Sequence, residues 1–175
     1  MLTQFSYSNT DVSWHFDEKE VEKKIDNIIT AFEDNDQKYI GVNIGKNFIT
    51  QKGYFFDFLG NSLVEYNFLT GEIIWEGVSK VKLAHLIQIG YFPNKNLTLA
   101  IYEEGQNIVV FDKYGTFLFE INSPNGFNLQ YFQEFPDYIA VVGEGDQNQA
   151  DKYGRTQFNF KLDLEEKELI KVGIA

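Results

Sequence analysis

The chain contains one pattern twice, as Gly60-Asn61-Ser62-Leu63-Val64-Glu65-Tyr66-Asn67 and again, forty-five positions later, as Gly105-Gln106-Asn107-Ile108-Val109-Val110-Phe111-Asp112. In both copies a glycine opens the pattern, aliphatic residues fill its middle, and an aromatic residue precedes the final Asn or Asp. The ends are typical turn residues, and the residues between them favour a strand. Similar segments at a fixed offset are typical of a repeat architecture.

A tight turn and a second strand follow each copy. Asn67 and Asp112 begin these turns, and a glycine that tolerates positive φ follows within four residues. Asp163 begins a similar turn before another apolar strand, so we predict a third hairpin of the same type. The segment 99–105 also aligns with 139–145, which supports a third repeat independently of that turn.

These hairpins predict an all-β fold with one N-terminal α-helix. We expect a propeller-like array of three four-stranded antiparallel units, because one meander of four strands per 40–50 residues is how a propeller blade is built. The chain has 175 residues, which suits one domain. The predicted ranges are a single domain over 1–175, a helix-containing segment over 1–38, and repeats over 39–80, 81–126 and 127–175.

The N-terminal helix is predicted to begin at Asp17 and to end near Asp34. Asp17 and Glu20 have the spacing of a capping box, and Phe16 is placed to pack on Val21. Apolar residues then recur at helical spacing. They are Val21, Ile25, Ile28, Ile29 and Phe32.

One hairpin carries a family resemblance. The segment Asn67-x-x-Thr70-Gly71-x-x-x-Trp75 resembles the D-x-x-T-G-x-x-x-W hairpin of quinoprotein-type β-propellers, and the blade plan is similar to that of tryptophan-aspartate repeat proteins. The resemblance implies blades and does not extend to the family's cofactor site, so no cofactor is expected.

Propellers close with four to eight blades, and the sequence predicts three. Residues 1–38 are a candidate for a fourth, irregular unit, with strands formed around Phe5, Tyr7, Val12, Trp14 and Phe16. The alternatives are an open, curved array of sheets and a ring closed by a second copy of the chain.

Composition excludes several classes of protein. The net charge of −11 opposes binding to nucleic acid, which requires clustered Lys and Arg. No cysteine is present, so disulfides and thiolate metal sites are excluded. We find no signal peptide and no apolar run long enough to span a membrane, and we therefore expect a cytoplasmic protein with no membrane partner.

The sequence predicts no catalytic or metal site. His15 and His85 are the only histidines and lie far apart in the chain; His85 is expected to begin an apolar strand. Neither combines with a serine into a nucleophile and base. The acidic segment 144–151 lacks the glycine and the terminal glutamate of a calcium loop.

Acidic residues recur at equivalent turns of the second and third repeats. Shared blade geometry is expected to bring them to one rim, where the insertion at 146–155 adds a further acid. This rim is the candidate surface for a basic protein partner; the alternative is a surface kept acidic for solubility. The candidate partner-binding residues are Glu103, Glu104, Glu144, Asp146 and Asp151.

The sequence therefore favours a non-enzymatic protein-binding module. Its most concrete form is a small acidic inhibitor that neutralises a cationic partner, as bacterial immunity proteins neutralise nuclease toxins. One alternative is a small-ligand-binding or hydrolytic propeller-like protein that uses carboxylates such as Asp57 or Asp151 in a central pocket. Another is a scaffold that forms homo-oligomers.

Overall fold

The computed structural model describes residues 2–76 and 79–175 of the chain. Met1, Gly77 and Val78, which fall in the predicted ranges 1–38 and 39–80, lie outside the described residues. Strands arranged in four antiparallel sheets dominate the structure, and the part described contains no α-helix. The predicted all-β class is confirmed.

The chain forms two compact units, Met1–Lys82 and Leu83–Ala175. Unit 1 contains nine strands, each paired antiparallel with its neighbours. They are β1 (Leu2–Tyr7), β2 (Asp11–Phe16), β3 (Lys19–Lys24), β4 (Ile28–Asp34), β5 (Tyr39–Lys46), β6 (Ile49–Asp57), β7 (Ser62–Asn67), β8 (Glu72–Trp75) and β9 (Ser79–Lys82). The first sheet has the order β1-β2-β3, and the second has the order β4-β5-β6-β7-β8-β9.

Unit 2 contains eight strands and three short 3-10 turns. The strands are β10 (Gln88–Phe92), β11 (Leu97–Tyr102), β12 (Asn107–Asp112), β13 (Phe117–Asn122), β14 (Phe127–Glu134), β15 (Ile139–Gly145), β16 (Gln157–Asp163) and β17 (Glu168–Ile174). The 3-10 turns are Pro93–Lys95, Glu103–Gly105 and Gln147–Gln149. The third sheet has the order β10-β11-β12-β13, and the fourth has the order β14-β15-β16-β17.

The predicted helix is wrong. Asp17 and Glu18 have φ of 47° and 68° and form the two-residue turn between β2 and β3. Val21 lies opposite Trp14 in that ladder. Phe32, which the helix would have placed on its apolar face, lies in β4 and is 39% exposed.

The physical reason is that packing outweighs local preference. Helix propensity differs by less than about 0.7 kcal/mol between ordinary residues, whereas burying an aliphatic side chain contributes roughly 1.5–3 kcal/mol. As a strand partner of β2, residues 19–24 direct Val21 onto the core of unit 1. A repeat of apolar residues every three or four positions also arises when two short strands follow each other, so the period alone misled the prediction.

The sheets also differ in number and size from the predicted three four-stranded units. Residues 2–24 form a three-stranded sheet, so Phe5, Tyr7, Val12, Trp14 and Phe16 do lie in strands. The sheet that contains repeat 1 has six strands, because β4 joins it before β5 and β9 joins it after β8. The third and fourth sheets have four strands each.

Both copies of the repeated pattern form the same element. Residues 62–67 and 107–112 are β7, the fourth strand of the six-stranded second sheet, and β12, the third strand of the four-stranded third sheet. The glycines that open the pattern, Gly60 and Gly105, have φ of +90° and +87°. The polar residue at the end of each pattern accepts backbone hydrogen bonds in the following turn: Asn67 from Leu69 and Thr70, and Asp112 from Tyr114 and Thr116.

Each unit has its own buried core. In unit 1 the core contains side chains from both sheets, namely Val12, Trp14, Ile28, Ala31, Ile40, Val42 and Phe56. In unit 2 the core lies between the third and fourth sheets, and its fully buried members are Leu99, Ile101, Ile108, Val110, Leu129 and Val141. This packing fixes the fourth sheet against the third and so positions the loops at their ends.

Candidate functional site

Four of the predicted acidic residues lie at one end of unit 2. The turn Glu103–Gly105 joins β11 to β12, and the connection after β15 leads into β16. The β11–β12 turn contacts β14, whose first residue, Phe127, lies opposite Gly145 at the end of β15. Both acidic connections therefore occur at the same end of the two sheets. We call this surface the acidic end, defined by Glu103, Glu104, Glu144 and Asp146.

The β11–β12 turn is held tightly against β14. A Cβ atom on Gly105 would lie 2.5 Å from the carbonyl oxygen of Leu129, so only glycine allows this approach. The next residue, Gln106, donates a hydrogen bond from Nε2 to Oδ1 of Asn128. Glu103 and Glu104 have φ of 50° and 58°, a left-handed conformation that costs roughly 1–2 kcal/mol per residue. The contacts with β14 maintain this turn, and both carboxylates remain exposed.

Hydrogen bonds order the side chains around Glu103. Its Oε2 accepts a hydrogen bond from Nδ2 of the buried Asn107 at 2.6 Å. The hydroxyl of Tyr102 donates to Oε1 of Glu120 at 2.6 Å. Burial, together with this carboxylate, raises the pKa of Tyr102 well above its ordinary value, so the phenol remains a donor at physiological pH. The turn therefore presents charged carboxylates with fixed neighbours.

The end of β15 and the connection after it supply the other two acids; Glu144, predicted in a turn, lies within β15, and Asp146 lies in the connection. Asp146 accepts hydrogen bonds from the backbone N–H groups of Asn148 at 2.8 Å and Gln149 at 3.2 Å, and so caps the 3-10 turn Gln147–Gln149. Glu144 is exposed on β15 directly opposite Asn128 of β14. A groove of about 450 Å³ lies between these elements. Its lining residues are Gly126, Asn128, Gln130, Glu144, Gly145 and Asp146.

Asp151 has a different role from the other predicted acids. Its Oδ2 accepts from Nε and Nη2 of Arg155 at 2.8 and 2.7 Å, and its Oδ1 accepts from the backbone N–H groups of Tyr153 and Arg155. The hydrogen bonds from Arg155 hold the pKa of this carboxyl below its ordinary value. Because its charge is paired, Asp151 organises the loop rather than adding to the acidic end.

The turn that begins at Asp151 has the same sequence and the same backbone hydrogen bonds as the turn that begins at Asp112. Residues 151–154 read Asp-Lys-Tyr-Gly, as do residues 112–115, and in both the aspartate accepts from the backbone two and four residues later. Each turn displays an exposed tyrosine, Tyr114 at 56% and Tyr153 at 71%, with the preceding lysine over its ring. The repeated Asp-Lys-Tyr-Gly sequence could have predicted this second turn from the sequence alone.

Sequence reasoning also missed the amides that accompany the acids. Asn128, Glu144 and Gln157 lie opposite one another across β14, β15 and β16, so their side chains share one face. Gln130 lines the same groove as Asn128 and Glu144. The sequence could have predicted that Asn128 and Gln130 share an exposed face. Polar and apolar residues alternate from Phe127 to Gln130, as they do in a strand with one exposed face.

The other residues considered for catalysis lie in turns and strands and do not line the groove at the acidic end. Asp57 accepts from the backbone N–H and from Nδ2 of Asn61, each at 2.8 Å, and so closes the turn between β6 and β7. Neither Asp57 nor Asp151 lines the groove at the acidic end. His15 lies in β2. His85 lies in an exposed turn at φ 50°, three residues before β10, so the prediction that it begins a strand is wrong.

The described residues, 2–76 and 79–175, contain neither a cluster of metal ligands nor a membrane-spanning helix. Within them, no three side chains of His, Asp or Glu are grouped so that they could hold a metal ion. In the same residues, no helix has the length and hydropathy needed to cross a bilayer.

Comparisons with known proteins give only distant matches. No protein-family model matches the chain, and no curated protein matches it significantly. Among solved structures it is similar to Hsv2 from Kluyveromyces marxianus (14% identity, TM-score 0.47), to Hsv2p from Kluyveromyces lactis (16%, 0.49) and to the dihydro-heme d1 dehydrogenase NirN in complex with DHE (10%, 0.47). These are β-propeller proteins.

The alignments cover 97%, 93% and 95% of this chain, and 64%, 62% and 43% of the respective structures. The chain therefore spans less than two thirds of the length of each of them. At these identities and scores the likeness adds nothing to what the antiparallel sheets of the chain already show about its fold.

Proposed function

We propose that the chain is a non-enzymatic protein-binding module, a small acidic cytoplasmic inhibitor that neutralises a cationic protein in the way immunity proteins neutralise nuclease toxins. One observation carries the proposal. Glu103 and Glu104 in the β11–β12 turn, Glu144 near the end of β15 and Asp146 in the connection that follows lie at the same end of unit 2, beside an open groove.

Electrostatics supports a basic partner. Carboxylates gathered on one surface focus a negative potential that accelerates association with a positively charged protein. The nearby cations do not cancel this potential: Arg155 is paired with Asp151, so that pair adds no net charge, and Lys152 offsets at most one of the four carboxylates. The whole chain carries a net charge of −11, so its long-range field has the same sign as the local one.

The amides around Glu144, of which Asn128 and Gln130 line the groove, support recognition of side chains rather than of charge alone. Asn128, Gln130 and Gln157 place hydrogen-bonding groups on either side of Glu144. A lysine or arginine side chain entering the groove would meet a carboxylate with amide oxygens beside it, which suits a cation with several N–H donors. Backbone contacts already fix β14 and β15, so little ordering is required on binding.

The proposal predicts that charge reversal at the acidic end weakens partner binding. In the variant Glu104→Lys/Glu144→Lys we expect the association rate constant for a basic nuclease toxin domain to fall more than tenfold, with a weaker dependence on salt. Neither side chain makes a hydrogen bond that holds the fold, so the variant should fold normally. Surface plasmon resonance at several ionic strengths measures both quantities.

The matched control is Glu166→Lys/Glu168→Lys. It makes the same change in net charge with exposed residues that follow the end of β16, at the opposite end of the fourth sheet. We expect this control to reduce the rate only slightly. Equal losses in the two variants would mean that net charge alone drives association, and unchanged binding in both would show that the acidic end serves solubility.

A further inference from the structure

The hairpin between β5 and β6 in unit 1 exposes an aromatic residue in a strained conformation. Its two turn residues, Asn47 and Phe48, have φ of 53° and 63°, the conformation of a tight turn that favours Asn followed by Gly. A phenylalanine in the glycine position costs roughly 1–2 kcal/mol. Phe48 is also 94% exposed, so its ring contributes no packing to the fold.

Two more exposed apolar side chains occur at the same end of the second sheet. Ile49 follows Phe48 and is 67% exposed, and Leu69 in the turn between β7 and β8 is 73% exposed. The two turns are adjacent, because the backbone N–H of Phe68 donates to the carbonyl of Gln51 at 2.8 Å. We call Phe48, Ile49 and Leu69 the apolar knob.

A positive charge accompanies the knob. Lys46 precedes the turn and is exposed, and no ion pair to it is found among residues 2–76 and 79–175. The neighbouring lysines differ, because Lys52 pairs with Glu65 at 2.6 Å and Lys80 pairs with Glu72 at 2.7 Å. An occupant that covers the knob is therefore expected to be apolar at its centre and acidic at its edge.

Unit 2 contains a pocket, away from the acidic end, whose lining includes both apolar and acidic residues. It lies where β14 turns into β15 and β16 turns into β17, and its volume is about 360 Å³, at the lower end of the roughly 300–1,000 Å³ typical of binding pockets. Tyr138, Ile139, Leu162 and Leu164 supply its apolar surface. Its acidic lining residues are Asp137, Asp163 and Glu165, and its basic ones are Lys95, which pairs with Glu134, and Lys161.

We infer that the apolar knob of one copy docks into this pocket of a second copy, whose lining has more acidic than basic residues. The knob is convex and the pocket concave, the ring of Phe48 matches the apolar lining, and Lys46 matches Asp137 and Glu165 in charge. The contact joins two different surfaces, so it is heterologous and can add further copies. It uses neither connection of the acidic end, so it goes beyond the proposed function and does not depend on it.

The test is sedimentation velocity over a wide range of protein concentration, near 0.15 M ionic strength, where the Debye length of about 8 Å screens the repulsion between copies. The chain should form dimers and larger species as concentration rises. Phe48→Gly should weaken self-association by roughly ten- to a hundredfold, because one aromatic side chain is no longer buried. Its folding should not suffer, since glycine suits the turn. Leu164→Glu, at a side chain that is 41% exposed, should weaken association similarly.

Mixing the two variants distinguishes this geometry from others. Phe48→Gly retains a pocket and Leu164→Glu retains a knob, so an equimolar mixture should regain association but stop at the dimer. Leu59→Ser removes a 58% exposed side chain at the opposite end of the second sheet and should leave association unchanged.

Four outcomes would overturn the inference. A chain that stays monomeric at all concentrations has no such contact. Loss of association in Phe48→Gly but not in Leu164→Glu would show that the knob packs elsewhere, for example against another knob. Absence of recovery in the mixture excludes a heterologous contact. Binding of the monomer to phosphatidylcholine–phosphatidylserine vesicles, abolished by Phe48→Gly, would assign the knob to a lipid surface instead.

Discussion

Replacing Trp14 with alanine is expected to lower the free energy of unfolding of unit 1 by about 3–5 kcal/mol. Trp14 is fully buried in β2, and its Nε1 donates to the carbonyl oxygen of Phe58 at 2.7 Å. Its ring also lies 6.4 Å from that of Phe56, between centroids. The substitution leaves a cavity and removes the donor to a partly buried carbonyl at the place where the first sheet meets the second.

Urea denaturation followed by tryptophan fluorescence measures this loss. The chain has two tryptophans, and the other, Trp75, is also buried in unit 1, so it still reports on that unit in the variant. Tyr7→Ala is the control, because Tyr7 lies in the same sheet and is 47% exposed; we expect a change within about 0.5 kcal/mol. A loss of that small size for Trp14→Ala would contradict the integration of residues 2–24 into the core of unit 1.

Gly105→Ala is expected to lower the stability of unit 2 by about 2–4 kcal/mol. Two effects combine. The residue has φ of +87°, where an L side chain is strained, and its Cβ would lie 2.5 Å and 2.9 Å from the backbone oxygen and nitrogen of Leu129. Backbone atoms of a hydrogen-bonded strand cannot move aside as a flexible side chain does, so β14 or the turn must shift.

Gly154→Ala separates the two effects. Gly154 has φ of +79°, and nothing lies within 4 Å of the position of its Cβ, so only the conformational cost of roughly 1–2 kcal/mol applies. Urea denaturation followed by far-UV circular dichroism measures both variants. Equal losses would show that the close contact with Leu129 contributes nothing and that Gly105 is required for its φ alone.

The turns of this fold were predictable because they depend on local chemistry. Asn67, Asp112 and Asp163 each accept backbone hydrogen bonds from the following residues, as their sequence positions predicted. The prediction of the helix was wrong because it also rested on local sequence features alone. The capping pair Asp17 and Glu20 and the spacing of apolar residues carry no information about Trp14, the strand partner that draws Val21 into a sheet.

The residues of the candidate site were also partly predictable from the sequence, whereas some of their contacts were not. The acids Glu103 and Glu144 were identified because aligned repeats place them in corresponding connections. The sequence did not reveal that Asp151 is paired with Arg155, or that Gln106 bonds to Asn128 across two sheets. The first contact depends on how one loop closes, and the second depends on how two sheets pack.

The sequence by itself determined the all-β class, the hairpins and the concentration of acidic residues in equivalent connections, because alternation, turn chemistry and charge act over a few residues. Only the tertiary structure decided that residues 2–24 form a sheet, that the second sheet has six strands, and that Phe48 is exposed while Asp151 is paired. The two sheets of unit 1 depend on side chains that share one core, where burial energies exceed local preferences. The exposure of Phe48 and the pairing of Asp151 depend on how one turn and one loop close.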